Sequence, residues 1–90
     1  MASILSWHTT AWEDYEHISK YDKQMLKKIN ELIKSALRTP YEGLGKPEPL
    51  KENLRGCWSR RINEADRLVY KVSEDEETIT IIQCKGHYSS

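Results

Sequence analysis

Four residues in this chain are suited to moving protons and binding anions. Glu48 lies between Pro47 and Pro49. Two prolines restrict the backbone around it, which suits a group that must be preorganised for catalysis. Arg67 offers a planar, permanently charged fork that matches phosphate oxygens. His87 and Tyr88 sit at the end of the chain, where residues are usually frayed and polar. A histidine ordinarily titrates at about 6.5, so it can give or take a proton near neutrality. A phenol beside it can stack on a ring or hydrogen-bond an anion. Each residue also has a plainer reading: a surface turn glutamate, a solvated strand arginine, an incidental terminal pair. The chemistry depends on whether the fold brings them together.

The elements that must do so can be read from periodicity. Ile4 to Trp7 reads as a short strand. Thr10 with Glu13 three residues on has the pattern of a helix-starting capping box. Asp22 is a candidate cap for a second helix, whose apolar residues Met25, Leu26, Ile29, Leu32, Ile33, Ala36 and Leu37 form one stripe. Pro40 disfavours helix at Thr39 and ends it. Residues 40–57 hold all three prolines and three of the four glycines, and read as a long structured loop. Strands follow at Cys57–Asn63, Arg67–Val72 and Thr78–Cys84, with Glu64-Ala65-Asp66 as the first turn. Leu68, Tyr70 and Val72 should face the helices. Arg67, Val69 and Lys71 should face away, and Arg61 can share that open face with Arg67. The order β-α-α-β-β-β predicts an α+β fold with both helices on one face of an antiparallel sheet.

Bulk properties bound the function. The chain has 90 residues, 38% hydrophobic and 31% charged, as in one small globular domain. It has neither a membrane-spanning run nor a signal-peptide pattern, so the expected location is cytoplasmic. Cys57 and Cys84 fit no metal-ligand spacing, and no metal or other cofactor is expected. The formal net charge is zero but unevenly spread. Residues 20–38 carry six cations against two acids, or +4, and residues 45–71 carry seven against four, or +3. A neutral total can therefore conceal a basic face able to hold phosphates.

Three segments resemble the YoeB/Txe family of toxin–antitoxin toxins, within the RelE superfamily. They are the run from Arg38 to Lys51, the run from Gly56 to Tyr70, and the closing His87-Tyr88. The second helix, Lys27 to Lys34, is similar too, so the resemblance covers essentially the whole chain. It implies that residues 1–90 form a single RelE-like toxin domain. It implies an endoribonuclease that cleaves mRNA on the translating ribosome, neutralised by a YefM-type antitoxin wrapped over its active face. Relatives can dimerise, which leaves monomer and homodimer both open for this chain. The family's catalytic positions carry over to Glu48, Arg67, His87 and Tyr88, with Lys51, Arg60 and Arg61 as phosphate-binding cations. The chain runs two serines past the His-Tyr end at which many relatives stop.

The residue types agree with that activity. RNA can be cut without a metal when its own 2′-hydroxyl attacks the adjacent phosphate. The reaction needs a base, a cation for charge on the phosphate, and an acid for the leaving 5′-oxygen. Glu48 suits the base, Arg67 the cation and His87 the acid, while Tyr88 can stack on a base. Lys23, Lys27, Lys28 and Lys34 are then candidates for holding ribosomal RNA, through contacts that weaken with salt. Two other readings are a gyrase poison on the same fold, as in ParE relatives, and an RNA-binding module without chemistry. Neither needs the acid–base set.

Overall fold

Asp22 ends one helix and begins the next. In the computed structural model, which describes residues 2–87, α1 spans Thr9–Tyr21 and α2 spans Lys23–Arg38. The Asp22 N–H closes the last turn of α1 on the Ile18 carbonyl, and its side chain accepts the Met25 N–H at 3.1 Å to cap α2. The capping box expected at Thr10 does not form. α1 starts one residue earlier, with His8 at the cap position and no side-chain cap bond. The apolar stripe of α2 behaves as expected: Ile29, Leu32, Ile33 and Ala36 are buried, and Met25, Leu26 and Leu37 pack around them.

Five strands form one sheet: β1 (Ile4–Trp7), β2 (Glu48–Pro49), β3 (Cys57–Arg61), β4 (Arg67–Ser73) and β5 (Thr78–Gln83), in the spatial order β1-β5-β4-β3-β2. β2 to β5 pair antiparallel, but β1 runs parallel to β5, with Ile4 opposite Thr78 and Trp7 opposite Ile81. The sheet is therefore mixed rather than antiparallel throughout. β3, β4 and β5 are joined by tight turns, which force antiparallel pairing. β1 leads into the helices instead and takes the edge position beside the last strand.

The split of faces follows β4. Leu68, Tyr70 and Val72 meet the helices together with Ile29, Leu32, Ile79 and Ile81. Each fully buried large apolar side chain contributes roughly 1.5–3 kcal/mol. The opposite face is not purely charged. Val69 there packs with Leu50 and Cys57, flanked by Leu54 and Ile82, so the segment after β2 covers part of it.

Arg60 departs from its expected role as a phosphate-binding cation. It is fully buried, at 0% exposure. Its Nε donates to the Tyr70 hydroxyl at 2.9 Å. Its Nη1 donates to Ser35 Oγ (2.7 Å) and the Leu44 carbonyl (3.0 Å), and its Nη2 to the carbonyls of Thr39 (2.7 Å) and Glu42 (2.9 Å). These five bonds use all five guanidinium N–H groups, leaving none for a phosphate. Parity explains the outcome: Arg60 shares the helix-facing side of β3 with Trp58 and Ile62. The loop from Thr39 to Gly45 wraps around it. Gly43 lies so close that a Cβ would sit 2.6 Å from Ser35 Oγ, and its φ of +110° also requires glycine.

Both cysteines are free and buried. Burial, reinforced by Asp14 and Asp66 and partly offset by Lys85, pushes the Cys84 thiol up from 9.0 to about 12. An unfolded chain would lose this proton near 9, while the folded one keeps it. This contribution to stability is thus intact below pH 9 and is lost as pH rises towards about 12. Urea unfolding at about pH 8 and about pH 10.5 should show a smaller alkaline loss in Cys84→Ala than in the wild type. Equal losses would contradict this.

Candidate active site

The strand register places three of the expected residues on one face. Glu48 is the antiparallel partner of Ser59, and Ser59 is the partner of Val69. Arg61 is the partner of Arg67. Partners in an antiparallel pair point to the same side, and so do residues two apart along a strand. Glu48, Arg61 and Arg67 therefore share the face away from the helices. Glu48 is held there although β2 has only two residues. Proline is tolerated at a sheet edge, and edge strand β2 carries Pro49 beside Glu48.

Arg67 is half-buried and anchored by the turn that precedes it. Its Nη1 donates to the carbonyls of Asn63 (2.6 Å), Glu64 (3.3 Å) and Asp66 (3.1 Å). These bonds all use Nη1; the Nε–Nη2 edge lies on the other side of the guanidinium, the planar geometry that matches two oxygens of an anion. The turn is itself braced, because Asn63 Oδ1 accepts the N–H groups of both Ala65 and Asp66 at 2.8 Å.

His87 is exposed and reaches the same turn. Its Nε2 lies 3.2 Å from the Glu64 carbonyl, a contact that needs a proton on that nitrogen. That contact does not use Nδ1. One turn therefore holds both the arginine and the histidine. Tyr88 lies outside the described residues. Lys51 is exposed next to Leu50, whose side chain anchors that segment on the same face.

The lysines of α2 divide. Lys27 and Lys34 are exposed, and Lys23 Nζ donates to the Ser19 carbonyl at the end of α1. Lys28 is half-buried and lines a cleft of about 530 Å³ with Lys46, Arg61, Glu64 and Arg67. Sequence reasoning did not single out Lys46. The available signal was its place between Gly45 and Pro47, where it adopts a left-handed φ of 53°. The four cations face one acid, so the cleft favours an anion. Among the described residues, no three His, Cys, Asp or Glu side chains group as metal ligands, and no helix is long and apolar enough to cross a membrane.

Two helices packed on one face of a mixed five-stranded sheet are the architecture of a RelE-like toxin fold. The model of YoeB-like toxins of bacterial type II toxin–antitoxin systems matches residues 7–88, and the chain belongs to that family. Toxin YoeB of Escherichia coli K12 is 55% identical over 84 residues, covering 93% of this chain and 98% of its own length. The YoeB/ParE toxin from Agrobacterium tumefaciens superposes with a TM-score of 0.92 at 49% identity, over 96% of this chain and 100% of its own. YoeB of Staphylococcus aureus, solved in complex with YefM, gives a TM-score of 0.86 at 48% identity, over 97% and 100%. A YoeB dimer from Staphylococcus aureus gives 0.87 at 48%, over 98% and 100%.

Proposed function

We propose that this toxin is a ribosome-dependent mRNA endoribonuclease working by acid–base catalysis with attack by the substrate's own 2′-hydroxyl. The observation that supports it most is the shared face of Glu48, Arg61 and Arg67, with His87 held on the turn that anchors Arg67.

Glu48 takes the 2′-proton and the 2′-oxygen attacks phosphorus. Charge on the non-bridging oxygens meets the Nε–Nη2 edge of Arg67, in a field strengthened by Arg61 and Lys51. The bond to the 5′-oxygen breaks as His87 delivers a proton to it. The products are a 2′,3′-cyclic phosphate, or the 3′-phosphate formed when it hydrolyses, and a 5′-hydroxyl. Tyr88 stacks on a base or bonds the phosphate. Lys23, Lys27, Lys28 and Lys34 hold ribosomal RNA. A YefM-type antitoxin covers the active face, and the toxin pairs with a second copy; Staphylococcus aureus YoeB has been solved both in complex with YefM and as a dimer. The expected site of action is the cytoplasm, and no metal or other cofactor takes part in these steps.

A single 2′-deoxy nucleotide tests the chemistry. Placed at the cleaved position of an mRNA on programmed ribosomes, it should abolish cutting there, while the all-ribose message yields a 2′,3′-cyclic phosphate end. Cleavage at the deoxy position would overturn the mechanism.

A further inference from the structure

Beyond the end of β5 the chain has no strand partner, yet His87 must be placed to within a fraction of an ångström to act on a leaving group. Two hydrogen bonds tie this segment to the first residue of β4 and the residue before it. The Arg67 N–H donates to the Gly86 carbonyl at 3.0 Å, and the Gly86 N–H donates to Asp66 Oδ1 at 2.7 Å. The Gly86 carbonyl also accepts Gln83 Nε2 at 3.0 Å. Gly86 has a left-handed φ of +78°, so its N–H and carbonyl can both reach the turn. Asp66 is in turn immobilised by its own backbone. Its N–H is held by Asn63 Oδ1 and its carbonyl accepts the Ile62 N–H at 3.0 Å. Two side chains thus bond the residue immediately before His87: Gln83 at its carbonyl, from within β5, and Asp66 at its N–H, from the turn that also anchors Arg67.

We propose that Asp66 is a positioning residue for His87, acting through the Gly86 N–H to set where the imidazole meets the leaving 5′-oxygen. The inference rests on the acid role assigned to His87 above. It makes Asp66 neither an acid nor a base in the reaction. Its requirement is an acceptor oxygen at that point, which asparagine also supplies.

The test compares two messages on programmed ribosomes in single-turnover reactions: one with the ordinary 5′-oxygen at the cleaved bond, one with sulfur in its place. A thiolate leaves without protonation, so a defect confined to the acid disappears on the sulfur message. The ratio of the two rates is internal to each variant and does not depend on the fraction of folded protein. Asp66→Ala should lose roughly 10–100-fold on oxygen, as expected for a misplaced group, and recover nearly fully on sulfur. Asp66→Asn should match the wild type on both. Gly86→Ala has open space for its Cβ but a strained φ, and should behave like Asp66→Ala. Equal losses on both messages, full activity of Asp66→Ala, or failure of Asp66→Asn to restore the rate would each overturn the proposal. His87→Ala is the control. If sulfur does not rescue it, the acid role falls and the Asp66 proposal with it. If sulfur rescues His87→Ala but not Asp66→Ala, only the Asp66 proposal falls.

Discussion

Replacing His87 with alanine should slow cleavage of ribosome-bound mRNA by about 10²–10⁴-fold, the usual worth of one general acid or base. The 5′-alkoxide is a poor leaving group, and without a proton donor its expulsion carries the barrier alone. Glu48→Gln should cost a similar factor, because the 2′-hydroxyl then loses its proton only to water. Both residues are exposed, Glu48 on edge strand β2 and His87 beyond the end of β5, and neither belongs to either apolar cluster. Their loss should therefore leave the thermal unfolding midpoint nearly unchanged. Single-turnover rates on programmed ribosomes, paired with thermal melts, check both halves. If the two variants kept wild-type rates, the catalytic assignment would be wrong.

Arg60→Met should have the opposite profile, with stability collapsing and no direct effect on chemistry. The change strips donors from five acceptors drawn from α2, the following loop and β4. Among them is the Tyr70 hydroxyl, which itself donates to the Pro40 carbonyl at 2.6 Å. Burial pushes the Tyr70 phenol above its ordinary 10.0, partly offset by Arg60. Each buried acceptor left without a donor costs about 1–3 kcal/mol, so losing several removes much of the about 5–15 kcal/mol that holds a domain of this kind together. Arg60→Lys should fare little better, because one ammonium cannot reproduce a planar five-donor fork. Urea denaturation measures both. An unfolding midpoint within experimental error of the wild type for Arg60→Met would show that the network is dispensable.

How much of this was legible depended on range along the chain. The α2 stripe and the two faces of β4 follow from periods of about 3.6 and 2, and both hold in the structure. The paired arginines did not separate so easily. Alternation alone turns Arg60 and Arg61 to opposite faces, but only the loop between Thr39 and Leu44 shows that Arg60 has a complete set of buried acceptors. The parallel pairing of β1 was hidden for a similar reason: it joins residues more than 70 positions apart. β2 has only two residues, too few for any periodicity, so the attachment of Glu48 to the sheet could not be seen. The bond from Gly86 to Asp66 spans 20 residues and leaves no local mark. The family resemblance named the candidate catalytic residues, whereas the supporting contacts of Asn63, Asp66 and Lys46 came from the three-dimensional arrangement.

Mapping mRNA 5′ ends in growing cells after induction tests the central claim most directly. A translated message and the same message without a start codon should be compared, with His87→Ala as control. The mechanism predicts new 5′-hydroxyl ends within codons of the translated message only, absent with His87→Ala. Equal cutting of the untranslated message, or persistent cutting by His87→Ala, would contradict it.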